Sequence, residues 1–112
     1  MLCPLLLPLT VQVAAEEPEI VVMAEKARKV RWDWRLGDHG ELTKCRITVS
    51  SGDPEIDALG CEATRRCGAR GFAGKPRRQL IACIVDTRRD LLVALRDARA
   101  EARSVRAERD QH

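Results

Sequence analysis

At 112 residues the chain has room for one domain at most. Its formal net charge is +3, from 20 basic and 17 acidic side chains, with sixteen arginines to four lysines. The two signs are interspersed, which excludes a polybasic arm for nucleic acid or an anionic membrane and leaves a mixed, solvated surface.

Residues 1–15 carry no charged side chain. An apolar run of Leu2, Leu5, Leu6, Leu7, Leu9, Val11 and Val13 ends in Ala14 and Ala15, and the acidic stretch Glu16, Glu17, Pro18, Glu19 follows. This resembles a secretory signal with a small-residue cleavage site, although no Lys or Arg precedes the run. The run is too short to span a bilayer, which needs about 20 apolar residues. Removing residues 1–15 leaves 97 residues, and Cys3 goes with them. Cys45, Cys61, Cys67 and Cys83 remain. Four cysteines in a small exported chain argue for two disulfides and an oxidising compartment, periplasmic or secreted, with no stable membrane span after signal removal. The interior is also thin. Trp32, Trp34 and Phe72 are the only aromatic residues, and many apolar positions are alanine. Such a core gains from covalent staples.

Residues 16–29 read as a charged lead-in. Within it "EIVVMA" could pair as a short strand, with "EKARK" ending it or turning briefly helical. A small α+β domain is expected over residues 30–95. Val30, Trp32, Trp34 and Leu36 alternate with Arg31, Asp33 and Arg35, the period of a half-buried strand. "GDHG" at 37–40 supplies the turn. Thr43, Cys45, Ile47 and Val49 then alternate with Lys44, Arg46 and Thr48, completing an antiparallel hairpin. Paired tryptophans at period two on one strand face point to core rather than to a ligand platform.

Ser50, Ser51 and Gly52 break the alternation. Asp53 suits an N-cap, and Pro54 suits the first helical position. Glu55 and Asp57 complement the positive end of the helix dipole. Ile56, Leu59, Gly60, Ala63 and Cys67 recur at helical spacing, so residues 54–67 predict a short helix lying on the apolar face of the hairpin. "GARGFAGKP" at 68–76 ends it as a flexible loop. This stretch is no phosphate loop. Ala69 stands where the first glycine should be, and Pro76 where the magnesium-binding hydroxyl should be.

A second helix is expected from Arg77, with Leu80, Ile81, Ile84, Leu91, Leu92 and Leu95 as its apolar positions. A break near Asp86 and Thr87 is allowed, because Thr87 and Asp90 have capping-box spacing. Residues 96–112 hold strong helix formers without an apolar stripe and read as a solvated helical tail.

Cys61 and Cys67 lie six apart on one helix, about 9 Å of rise, beyond the reach of a disulfide within it. That also excludes the complementary Cys45–Cys83 pair. Two connectivities survive: Cys45–Cys67 with Cys61–Cys83, and Cys45–Cys61 with Cys67–Cys83. The second is favoured, since it ties the hairpin to the first helix and the first helix to the second. Each bond would close a loop of roughly 15 residues, on the order of 3 kcal/mol if unstrained. Zinc is disfavoured because the close cysteine pairs of structural sites are missing, His39 lies in a turn and His112 is terminal. No motif calls for a cofactor. His39 and Ser51 sit at opposite ends of one strand, which separates the only base and hydroxyl that might pair for catalysis.

"GELTKCRITVSSGDPEIDALGC" resembles the heart of the C-terminal domain of TonB energy transducers, over residues 30–67. Gly40, Ile47, Val49, Ser50, Ser51, Gly52, Asp53, Pro54, Ile56 and Asp57 match its strand, SSG turn and acidic helix start. Some exported TonB-like proteins carry one cysteine in this strand and another in this helix, as Cys45 and Cys61 do here. The family returns to strands after the helix, whereas "RRQLIACIVDTRRDLLVALR" reads as helix. The resemblance implies a small exported, non-catalytic binding module of the periplasm, taking a protein partner through an exposed hairpin edge, and the mixed charge pattern argues against nucleic acid. The alternative is a small secreted thiol/disulfide or hydrolytic enzyme, whose mark would be a reactive thiol of depressed pKa.

Overall fold

The computed structural model describes residues 17–111. The expected signal segment, Cys3 and His112 lie outside the described residues. The order of elements is α1 (Glu17–Lys29), β1 (Arg31–Leu36), β2 (Leu42–Val49), α2 (Pro54–Ala69), a 3-10 turn (Phe72–Gly74) and α3 (Arg77–Asp110). This is the expected α+β arrangement: an antiparallel hairpin packed by a short helix, then a helical C-terminal half, stapled by disulfides.

The lead-in is the first departure: the short strand allowed in "EIVVMA" does not form, and one helix, α1, runs through it and "EKARK". Ile20, Met23, Ala24 and Ala27 recur at i, i+3, i+4 and i+7, and this stripe turns inward. The β-branched pair that suggested a strand, Val21 and Val22, faces solvent. Lys26, Arg28 and Lys29 in the last turn complement the helix dipole.

The hairpin pairs Trp32 with Ile47, Asp33 with Arg46, Trp34 with Cys45 and Arg35 with Lys44. Its turn closes with Gly37 N–H donating to Glu41 O at 2.7 Å, and Gly40 takes the positive φ of +83° that a side chain resists. One face of the hairpin receives α2. Asp53 caps that helix by accepting from the amides of Glu55 and Ile56, and Pro54 opens it, as the sequence predicts.

Two close approaches set how α2 lies. A Cβ at Gly60 would stand 2.7 Å from the Trp32 ring, and one at Gly68 would collide with the carbonyl of Gly40. The helix therefore rests on the hairpin at two glycines eight residues apart, about 12 Å along its axis. Trp32 lies against the first of them and touches both halves of the core. One half contains Met23, Ala27, Val30, Ile56 and Leu92; the other contains Ala63, Cys67, Leu80, Cys83 and Ile84. The indole N–H donates to Thr64 Oγ1 at 3.1 Å, and that hydroxyl donates to Gly60 O at 2.7 Å, so both of these polar side chains are satisfied. The Arg88 guanidinium lies over the Trp32 ring, 5.2 Å from its centroid, and donates to Ala27 O at the end of α1.

Both disulfides join the favoured partners, Cys45–Cys61 and Cys67–Cys83. The break allowed near Asp86 does not occur, and α3 is continuous. Thr87 is mid-helix, with its hydroxyl 3.5 Å from Cys67 Sγ and 3.8 Å from Cys83 Sγ. It packs on the staple instead of opening a new helix. The solvated tail also begins later than residue 96. Arg99 grips Asp53 with both nitrogens, at 3.0 and 2.9 Å, and reaches Glu55 at 2.9 Å. Arg103 grips Glu19 at 2.6 and 2.7 Å. These arginines tie α3 to the starts of α2 and α1 where no apolar stripe exists to do so. From Glu101 onward the helix is exposed.

Asp57 has more to do than complement a dipole. It is buried, and its carboxylate accepts from the Ser51 amide at 2.8 Å, the Ser51 hydroxyl at 2.7 Å and the Ser50 hydroxyl. These bonds hold its pKa below the ordinary aspartate value, led by the Ser50 hydroxyl.

Gly60→Ala is expected to cost about 1–3 kcal/mol through overpacking against Trp32, read as a lower urea midpoint with the slope unchanged. Asp57→Asn tests the serine knot through pH. A carboxyl depressed in the fold contributes stability that is present above its unfolded pKa and fades as pH falls through its folded pKa. The variant should unfold at lower urea than the parent at pH 7, and the gap should narrow below about pH 4.

Candidate functional site

The hairpin forms a sheet of two strands, so among the described residues each strand has one margin without a strand partner. Beside β1 this margin is walled. One groove of about 320 Å³ is lined by Trp32, Asp33, Trp34, Arg35, Lys44 and Arg77. A second of about 380 Å³ continues it, lined by Trp34, Arg35, Leu36, Gly37, Lys75, Arg77 and their neighbours. The two share Trp34, Arg35 and Arg77. Consecutive strand residues point to alternate faces, yet consecutive β1 residues line both cavities. The groove thus follows the strand's edge from Trp32 to Gly37, with the first turn of α3 as its far wall.

Local sequence explains each lining group. Period two sends Arg35 outward and Trp34 inward, and the register sets Lys44 opposite Arg35. Pro76 ends the 68–76 loop and starts α3, which delivers Arg77 onto the Trp34 ring at 5.3 Å. Lys75 lies over Phe72 at 5.2 Å. Both tryptophans expected in the core pack against it, Trp32 on both clusters and Trp34 on the second, and Trp34 also turns one face to Arg77 and the groove. The sequence signal for this was present but spread across segments: a cation after the loop, a cation on each strand, and one indole.

The groove is electropositive. Arg35, Lys44, Lys75 and Arg77 line it against one carboxylate, Asp33. None of these cations has a carboxylate within ion-pair distance among the described residues. Several helical cations elsewhere do have partners: Arg65 and Arg66 bracket Glu62 and hold its pKa down to about 2, and Arg99 is shared by Asp53 and Glu55. Arg35 directly opposite Lys44 is unfavourable for the hairpin by itself, because like charges in facing positions repel.

A separate groove of about 400 Å³ lies over the Cys67–Cys83 disulfide, lined by Arg70, Phe72, Asp86, Thr87 and Asp90 among others. Cys67 is fully buried and Cys83 is 8% exposed, with Arg70 Nη1 3.9 Å from its sulfur. Ser51, the hydroxyl weighed for catalysis, is bonded to Asp57, and His39 sits in the hairpin turn with its amide on Glu41. Among the described residues no group of three or more His, Cys, Asp or Glu could hold a metal ion. No helix there is long and apolar enough to cross a membrane.

A scan against protein-family models, a search of curated proteins and a search of solved structures each found no match.

Arg77→Ala should uncover the Trp34 ring and shift tryptophan emission, while lowering stability by less than about 1 kcal/mol, the range of an exposed cation–π contact. A loss of several kcal/mol in the urea midpoint would instead make Arg77 part of the core.

Proposed function

We propose that this protein is an exported, non-catalytic binding module of the periplasm that takes a protein partner along the β1 edge. The observation that carries the reading is the groove itself. It exposes an unpaired strand margin between an indole and four cations, which is how sheet edges receive extended partners. The likeness of residues 30–67 to TonB C-terminal domains supports an interaction role. Two disulfides suit an oxidising compartment, and the signal-like character of residues 1–15 supports export.

A second reading, a secreted thiol/disulfide enzyme, draws on the groove over Cys67–Cys83, where Arg70 could favour a thiolate on Cys83. Burial of both cysteines, with the Thr87 hydroxyl against both sulfurs, weighs against rapid exchange there.

Intact mass of the protein from its own host's envelope tests both readings. The expected species is residues 16–112 with all four thiols oxidised, unreactive to a thiol label until denatured and reduced. A full-length chain with free thiols in the cytoplasm would overturn export and stapling. Rapid native labelling of Cys83 would favour the enzyme.

A further inference from the structure

We infer that the β1 groove selects an acidic polypeptide segment, with carboxylates seated between Arg35, Lys44 and Arg77 beside Trp34. The inference rests on the β1-edge reading and adds the chemistry of the partner. Four cations face one carboxylate across two joined cavities, and none has an internal counter-ion among the described residues. Arginine presents a planar fork that matches a carboxylate. Arg77 is already oriented by its stack on Trp34, so less side-chain freedom is lost when it binds. A carboxylate lying between Arg35 and Lys44 would also relieve their repulsion across the strands.

The shape of the site favours a polypeptide over other polyanions. The cations line a half-open groove between the hairpin, with Arg35 on β1 and Lys44 opposite it on β2, and a second wall formed by Lys75 and the first turn of α3. A membrane surface meets a convex or flat patch, and duplex nucleic acid needs a broader basic track than a groove containing Asp33. An extended chain fits a groove of this kind, with its backbone along the strand margin and alternate side chains directed to the cations.

The test uses the oxidised protein and a capped peptide of alternating Glu and Thr. Gln/Thr and Lys/Thr peptides of equal length, anionic phosphatidylglycerol vesicles and a short DNA duplex serve as comparison probes. Amide shifts of Trp32–Leu36 and tryptophan emission are the readouts. The Glu peptide should perturb both, weaken as salt rises, and raise the unfolding temperature more at low salt. Arg35→Glu and Arg77→Glu should each weaken it by about tenfold or more, while Glu62→Gln on the far side of α2 should not. If a charge-reversed variant fails to fold, Lys44→Gln and the salt dependence of the parent carry the same comparison.

Equal binding of the Gln peptide would overturn the acid preference while leaving the edge reading in place. No shift at β1 with any peptide would overturn both. Vesicles or DNA shifting the β1 amides where the Glu peptide does not would overturn the polypeptide in favour of that polyanion.

Discussion

The Trp32 ring lying on the bare backbone of Gly60 is the constraint on which the rest of the structure depends. Hydrogen in place of a side chain at that point lets α2 come within contact distance of the hairpin. Once it does, the indole spans both halves of the core, and its N–H finds the Thr64 hydroxyl. Arg88 then closes over the ring and fastens α3 to the last turn of α1. A large aromatic residue does here what many smaller residues do in a richer interior. Its polar edge also fixes the rotation of α2, since only one setting brings Thr64 beneath the nitrogen.

Staples, arginine clamps and the serine knot divide the remaining work by region. The disulfides act where helices and hairpin meet over small residues. Bidentate arginines act where α3 has run out of leucines, joining it to Asp53 and Glu19. The Ser50–Ser51–Asp57 bonds act where β2 turns into α2. Each device replaces apolar area that a chain rich in alanine lacks. The β1 margin has none of them, and its cations have no counter-ion among the described residues.

Much of this was legible in the sequence because it depends on local rules. Alternation over 30–49 gave both strands, Asp53–Pro54 gave the start of α2, and the six-residue gap between Cys61 and Cys67 excluded two wrong bonds. The misses share a cause. The β-branched Val21 and Val22 within "EIVVMA" favour a strand locally, whereas the Ile20, Met23, Ala24, Ala27 stripe decides for a helix once α3 is there to bury it. Thr87 and Asp90 carry a capping pattern, but packing of Leu80, Ile84 and Leu91 on α2 keeps the helix intact. Arg99 and Arg103 seemed merely solvated because their partners lie 46 and 84 residues away. The groove was hidden for the same reason. Trp34, Lys44 and Arg77 become neighbours only when hairpin, loop and α3 are assembled.

The two disulfides have equal sequence separations of 16, and their loops follow one another without overlap. In each pair the native partner is the very next cysteine in the described chain. A polypeptide oxidised as it emerges from its N-terminus therefore meets Cys61 while Cys45 is the sole earlier thiol of the four, and later meets Cys83 while only Cys67 is still unpaired. Vectorial oxidation at that pace reaches the final connectivity with no bond to undo, so the topology itself spares the chain an isomerisation step.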